Sequence, residues 1–292
     1  IFEGCIFRRN YAGNHGAAFH NGSGSPIIRD CVFVDNHGGS GGGIWLEGES
    51  SPLVARCEIH LNTVAGMGGG IAVDMFSIPT IRDCDIHDNI ASSGGGVCVS
   101  AAGAAISGCV ITNNEATFGG GVTLMSGIDV QLRDCSITWN EAVHSGGGLY
   151  ASDSSLEVTD CEITDNVCQG SGGAMFILNT TAAVWLTRIM GNSAALTTGG
   201  ILLDTSNVTV TAGEIVGNGT GVAFVATGRS LADARHNWWG DDSGPYHPDI
   251  NPSGQGDHVG DGVQFVPWNI VTGIEDPIRT NVSWSVVKSL YQ

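Results

Sequence analysis

The amino-acid pattern predicts an all-β chain, a right-handed parallel β-helix of about nine coils closed by an irregular C-terminal cap. Three observations predict it: an Asn recurring at a fixed period, a Cys and an apolar residue held in phase with that Asn, and a run of Gly before a second apolar stretch. The Asn positions are 10, 36, 62, 89, 114, 140, 166, 192 and 218, separated by 25 to 27 residues.

Five residues before each Asn stands Cys5, Cys31, Cys57, Cys84, Cys109, Cys135 or Cys161, relaxing to Thr187 and Gly213 in the last two units. Two residues after that position the side chain is always apolar: Phe7, Phe33, Ile59, Ile86, Ile111, Ile137, Ile163, Ile189 and Ile215. Alternation of this kind marks a short strand with one buried face. A second strand follows each Gly run, as in Ile44-Trp45-Leu46, Ile71-Ala72-Val73, Val97-Cys98-Val99 and Val122-Thr123-Leu124. Helical repeats need windows that Gly and β-branched residues do not supply. Coils stacked about 4.8 Å apart make a rod about 40 Å long in which no coil buries a core alone.

The in-phase columns have structural readings. Stacked inward Asn residues bond amide to amide. The Gly runs 41–43, 68–70, 94–96, 119–121 and 146–148 lack the Lys and helix of a phosphate cradle and read as corners with positive φ. Cys residues in register stay about 4.8 Å apart, too far for the Cβ spacing of a disulfide, so the column reads as buried free thiols. Cys98 and Cys168 lie off this column and are expected to be the more accessible thiols. Arg29 with Asp30, Arg82 with Asp83, and Arg133 with Asp134 read as exposed ion pairs. His60 and His87 share one outward position on neighbouring coils near Asp85 and Asp88, where surface histidines and a transition-metal pair are both open readings.

Charge narrows the partners. The chain carries 29 acidic and 11 basic residues, a formal net charge of −18, with Lys288 its one lysine. Such a surface repels nucleic acid and anionic lipid and attracts cations. No apolar run reaches the roughly 18 residues of a membrane span. The opening at Ile1, in mid-repeat, reads as a fragment or processed product.

The register ends after Asn218, dividing the chain into repeats at 1–226, a cap at 227–268 and a linker or tail at 269–292. Trp238, Trp239 and Trp268 are candidates for a plug over the open core. Asp241, Asp242, Asp257 and Asp261 fall in one Gly-rich segment, where they read either as ligands of a structural calcium or as solvated loop carboxylates. No other cofactor is suggested.

The Cys-x-Ile-x-x-Asn and Gly-Gly-Gly units, with the Asn-Trp-Trp-Gly and Pro-Trp segments at 237–268, resemble bacterial right-handed β-helix proteins of the pectin-lyase-like superfamily. The likeness covers residues 1–268 and implies the fold more than an activity, since that superfamily includes polysaccharide lyases, glycoside hydrolases and adhesins. It implies a bacterial protein, secreted or at the cell surface. In similar proteins a tail such as Thr272-Gly273-Ile274-Glu275-Asp276-Pro277 often leads to a sorting module.

Two functions are expected from different classes. One is a monomeric scaffold binding extracellular polysaccharide or a surface protein, and the other a lyase or hydrolase acting on acidic polysaccharide. The coils show neither a carboxylate cluster with a cationic base nor a long insertion to wall a cleft, which favours the scaffold. Ice binding through Thr112, Thr138 and Thr164 is a third reading, resting on three residues. For a ligand, the outward column Trp45, Ala72, Cys98, Thr123, Tyr150, Phe176 and Leu202 is unusually apolar. Its rings at Trp45, Tyr150 and Phe176 are the candidate binding residues for a sugar face or partner module, against the alternative that they merely stack on one another.

Overall fold

A computed structural model describes residues 1–219 and 221–269, so the segment read as a tail lies outside the described residues from 270 onward. All regular structure among the described residues is strand. Four parallel sheets of 11, 9, 8 and 9 strands run the length of a solenoid of about nine coils, and each coil contributes one strand to each sheet in turn. In the second coil these are Ile27–Arg29, Val32–Val34, His37–Ser40 and Ile44–Leu46.

The corners explain why strands are so short. Between the first and second strands the chain turns at a residue of positive φ, as at Asp30, Arg56, Asp83, Asp134 and Asp160. It turns again just before each ladder Asn, at Asp35, Leu61, Asp88, Asn113, Trp139 and Asp165. Asp and Asn tolerate this left-handed geometry better than most residues, and they fill most of these corners.

The Gly runs work differently from the sequence expectation. Only the first glycine of each run, such as Gly41 or Gly94, has positive φ. The next two are required by close approach of the neighbouring coil: a Cβ on Gly43 would lie 2.7 Å from the Gly70 carbonyl oxygen and 2.8 Å from Ile59 Cγ2.

The Asn column is a continuous ladder. Asn114 Nδ2 donates to Asn140 Oδ1 at 3.0 Å and to the Ile86 carbonyl at 2.9 Å, while its Oδ1 accepts both the backbone N–H and the Nδ2–H of Asn89. The same set repeats from coil to coil, and Asn36, Asn62, Asn89, Asn140, Asn166 and Asn192 are fully buried. A second polar ladder, not singled out from the sequence, occupies the corner between the fourth and first sheets. There the backbone N–H of Gly127, Ser154, Thr180 and Ser206 donates in turn to the hydroxyls of Ser154, Thr180, Ser206 and Ser230.

The Cys column lines one wall of a single apolar core with the inward Ile, Leu and Val side chains. All nine cysteines are free. Cys98 and Cys168 are also buried, correcting the expectation that they are the accessible thiols. Cys168 packs against Ala142 and Ala194 in a small satellite cluster, and Cys98 lies under a Gly turn. Burial pushes the thiols of Cys31, Cys98 and Cys168 up from their ordinary value.

The ion pairs are rewired across coils. Arg82 pairs with Asp83 as expected, but Asp30 is held by Arg56 and Arg29 reaches Glu3. Arg133 faces Glu157 at 3.8 Å. Arg29–Glu3 and Arg56–Asp30 join equivalent positions one coil apart, which stacking brings within reach of each other.

The cap continues the solenoid. Val222–Thr227, which spans the boundary drawn at 226, extends the fourth sheet, and Leu231–Asp233 and Val263–Gln264 extend the first. Asn237 resumes the Cys column, its Oδ1 accepting the Gly213 N–H at 2.9 Å and its Nδ2 donating to the Val210 carbonyl at 2.6 Å. Trp239 and Phe265 are buried in the core and Trp268 packs against it, whereas Trp238 is half-buried. The plug is therefore Trp239, Phe265 and Trp268.

Two outcomes follow. Asn114→Ala leaves the Ile86 carbonyl and two donors of Asn89 buried without partners, so it should destabilise the rod by more than about 3 kcal/mol in denaturant unfolding; a loss under about 1 kcal/mol would refute the ladder as a main support. In the folded chain a thiol reagent should label one cysteine, the half-buried Cys5, with the other eight reacting only after denaturant.

Candidate functional site

The column proposed from the sequence exists as a column. Strand register stacks His20, Trp45, Ala72, Cys98, Thr123, Tyr150, Phe176, Leu202 and Val225 along the outer side of the fourth sheet. Its exposure differs from the expectation. Trp45, Ala72, Cys98 and Thr123 are at most 1% exposed, because the Gly turn before each fourth-sheet strand folds back over them. Cβ atoms on Gly41 and Gly94 would lie 2.8 and 2.9 Å from the Cβ atoms of Trp45 and Cys98. Trp45 is further covered by the His15 ring, stacked at 4.2 Å, and donates its Nε1–H to Glu47 Oε2 at 2.9 Å. It is built into the wall, away from the ligand face.

Tyr150 and Phe176 remain half-exposed, their rings stacked at 5.7 Å and 20°. Phe118, from the third sheet, adds a third ring at 5.3 Å from Tyr150, and His144 approaches Phe118 at 5.5 Å. Sequence reading missed Phe118 because it belongs to a different strand of the preceding coil. Beyond Phe176 the face sinks into a cavity of about 420 Å³, lined by Phe176, Leu202, Val225, Thr197, Thr198 and Asp204 among others. The strand register shifts beside it, where Thr198 pairs with Val222 but Ile201 with Phe224. Thr198 is fully buried and its Oγ1 has no hydrogen-bond partner within the described chain.

A second concavity of about 500 Å³ lies on the first sheet, open and shallow, with Asp129, Gln131, Ser155, Glu157 and Asn207 in its walls. Its carboxylates are engaged locally. Asp129 accepts from Ser155 Oγ at 3.3 Å, and Glu157 accepts from Thr159 Oγ1 at 3.2 Å.

The four cap carboxylates are not brought together. Asp257 accepts the backbone N–H groups of Gly217 and Asn218 at 2.9 and 3.0 Å, taking the place of the next Asn at the end of the ladder. Asp241 Oδ1 caps its own turn, accepting from the Ser243 N–H and hydroxyl. Asp242 is exposed, and its carbonyl accepts from Trp268 Nε1. Asp261 is almost wholly exposed and sits 3.4 Å from His247 Nε2. Among the described residues no three of these oxygens converge. Asp257 closes the ladder, Asp241 caps its own turn, and Asp242 and Asp261 are exposed.

The one converging group of metal-ligating side chains among the described residues is Glu58, His60 and His87, on the second sheet. The His rings stack at 4.8 Å and 20°, and the Glu58 Oε1 lies 3.7 Å from both Nε2 atoms. Below His87 on the same column, Thr138 Oγ1 donates to Thr112 Oγ1 at 3.2 Å. The stacked threonines thus satisfy each other.

The described residues form a parallel β-solenoid of about nine coils. The chain matches the family described as right handed beta helix region over residues 1–130 and again over 57–238, and it belongs to that family. No curated protein and no solved structure matches it. Among the described residues no helix is long and apolar enough to cross a membrane.

Asp257→Ala should expose the open end of the Asn ladder, lowering stability by about 1–3 kcal/mol. Chelator added to a calcium-replete sample should leave the melting temperature unchanged, and a clear drop would restore a metal to the cap.

Proposed function

We propose that the chain is a carbohydrate-binding β-helix, a secreted or cell-surface scaffold whose ligand lies across the outer face of the fourth sheet, from Tyr150 to Val225. The observation that carries this reading is the stacked, partly exposed ring pair Tyr150 and Phe176, which leads into the cavity lined by Phe176, Leu202 and Asp204. A sugar ring has an apolar C–H face to stack on an aromatic ring and hydroxyls at its edge to pair with a buried polar group. Asp204, in the same wall, offers a carboxylate acceptor to further hydroxyls. The formal charge of −18 argues for a neutral glycan over a polyanion.

A second reading, cleavage of polysaccharide, is supported by Asp129 and Glu157 lying in one groove on the first sheet. Release of reducing or unsaturated ends from a panel of polysaccharides would favour it, and their absence would leave binding alone.

Replacing Tyr150 and Phe176 together with Ser should weaken binding of neutral oligosaccharides about tenfold or more while the chain stays folded. Trp45 is left intact in this design because its loss would open the wall. Thr198→Val keeps the side-chain shape and removes the unsatisfied hydroxyl, so it should raise stability by about 1 kcal/mol. Unchanged binding in the folded Tyr150/Phe176 variant would reject this face.

A further inference from the structure

We propose that Glu58, His60 and His87 form a binding site for a divalent transition-metal ion of the zinc class. The three side chains come from two adjacent coils whose register places His60 beside His87 and Glu58 beside Asp85. One carboxylate oxygen sits 3.7 Å from each of the two Nε2 atoms, and all three potential ligand atoms lie within 4.8 Å of one another. Ligands around a tetrahedral zinc, with bonds of about 2.0–2.1 Å, stand about 3.4 Å apart. The ligand set closes on an ion by tilting two rings that are now parallel, with side-chain shifts of about 1 Å or less. The sheet backbone need not move.

His87 Nδ1 lies 2.7 Å from Asp88 Oδ2, which leaves Nε2 as the ring nitrogen turned toward the Glu58 oxygen. A carboxylate behind the ligating imidazole is the arrangement that fixes tautomer and ring orientation at metal sites. Asp88 therefore acts as a positioning residue. The two His side chains are about one-fifth exposed, sheltered enough to be held and open enough for an ion to enter. Two imidazoles and one carboxylate suit zinc, copper or nickel better than calcium, which takes six to eight oxygens. Three protein ligands leave a fourth position for water or a donor group of a second molecule.

The site lies on the second sheet at the third and fourth coils, apart from the ring face on the fourth sheet, so the two proposals fail independently. The test is titration of the chelator-stripped, folded chain with zinc chloride by calorimetry, with visible spectra of the cobalt form as a second readout. One ion per chain should bind, with a cobalt spectrum of nitrogen and oxygen ligation. His60→Ala and His87→Ala should each lower affinity by more than about 100-fold, and Asp88→Asn by about 10-fold or more, with folding checked by circular dichroism. Absence of saturable binding would overturn the site. So would stoichiometric binding that survives the His60→Ala/His87→Ala double variant, or a cobalt spectrum with thiolate absorption, which would place the metal on cysteines. Unchanged affinity in Asp88→Asn would overturn the positioning role of that carboxylate.

Discussion

Each coil lies one strand spacing, about 4.8 Å, above the last, and every other feature of the molecule answers to that constraint. A side chain pointing inward meets its own equivalent above and below, so only residues that tolerate themselves as neighbours can occupy the interior. Ile and Val do so by packing. Asn does so because its amide both donates and accepts along the axis, as the unbroken sequence from Asn10 to Asn218 shows. A ladder must also end, and here Asp257 supplies the acceptor that a tenth Asn would have offered. The cap is thus chemically continuous with the repeat, although its sequence looks unrelated.

The same spacing governs which outward side chains reach solvent. In the fourth sheet the turn that precedes each strand closes over the outward residue so tightly that its first residue must be Gly. Small side chains such as Ala72 and Cys98 disappear beneath the turn, and Trp45 is held flat between His15 and the wall. Tyr150 and Phe176 project past the turn. Size and neighbours, and not hydropathy, separate the buried half of this column from the half that faces outward.

Much of the fold was legible in the sequence because stacking makes each coil vote for the same answer. The period, the buried thiols and the Asn ladder are all read from in-phase repetition, while the plug residues Trp239 and Trp268 are read from large apolar side chains where the register ends. What was not legible depends on relations between strands of different sheets or on chain outside the register. Phe118 joins the ring cluster from a neighbouring sheet. The Ser and Thr ladder at residues 154, 180, 206 and 230 mixes residue types and so hides its period. The Thr198 hydroxyl is marked only by its missing partner, and the carboxylates of the cap are dispersed by turn geometry that no spacing rule foretells. His60 and His87 were visible as a pair, but the approach of Glu58 and the contact with Asp88 needed side-chain positions.

The contrast between inward and outward columns also locates where such a rod can acquire chemistry. On the second sheet the inward column from Phe33 to Ile215 hardly varies, while the outward column one residue later reads Val34, His60, His87, Thr112, Thr138, Thr164, Met190 and Val216. An inward change propagates through both neighbouring coils, since each ladder residue serves two others. An outward change is felt only locally, so any side chain that the strand backbone tolerates can be placed there. Two adjacent outward positions are then enough for a paired site, because strand register already holds them one coil apart with parallel side chains. The stacked imidazoles of His60 and His87 and the stacked rings of Tyr150 and Phe176 are the same device on two faces, with the chemistry chosen by residue type and the geometry supplied by the fold.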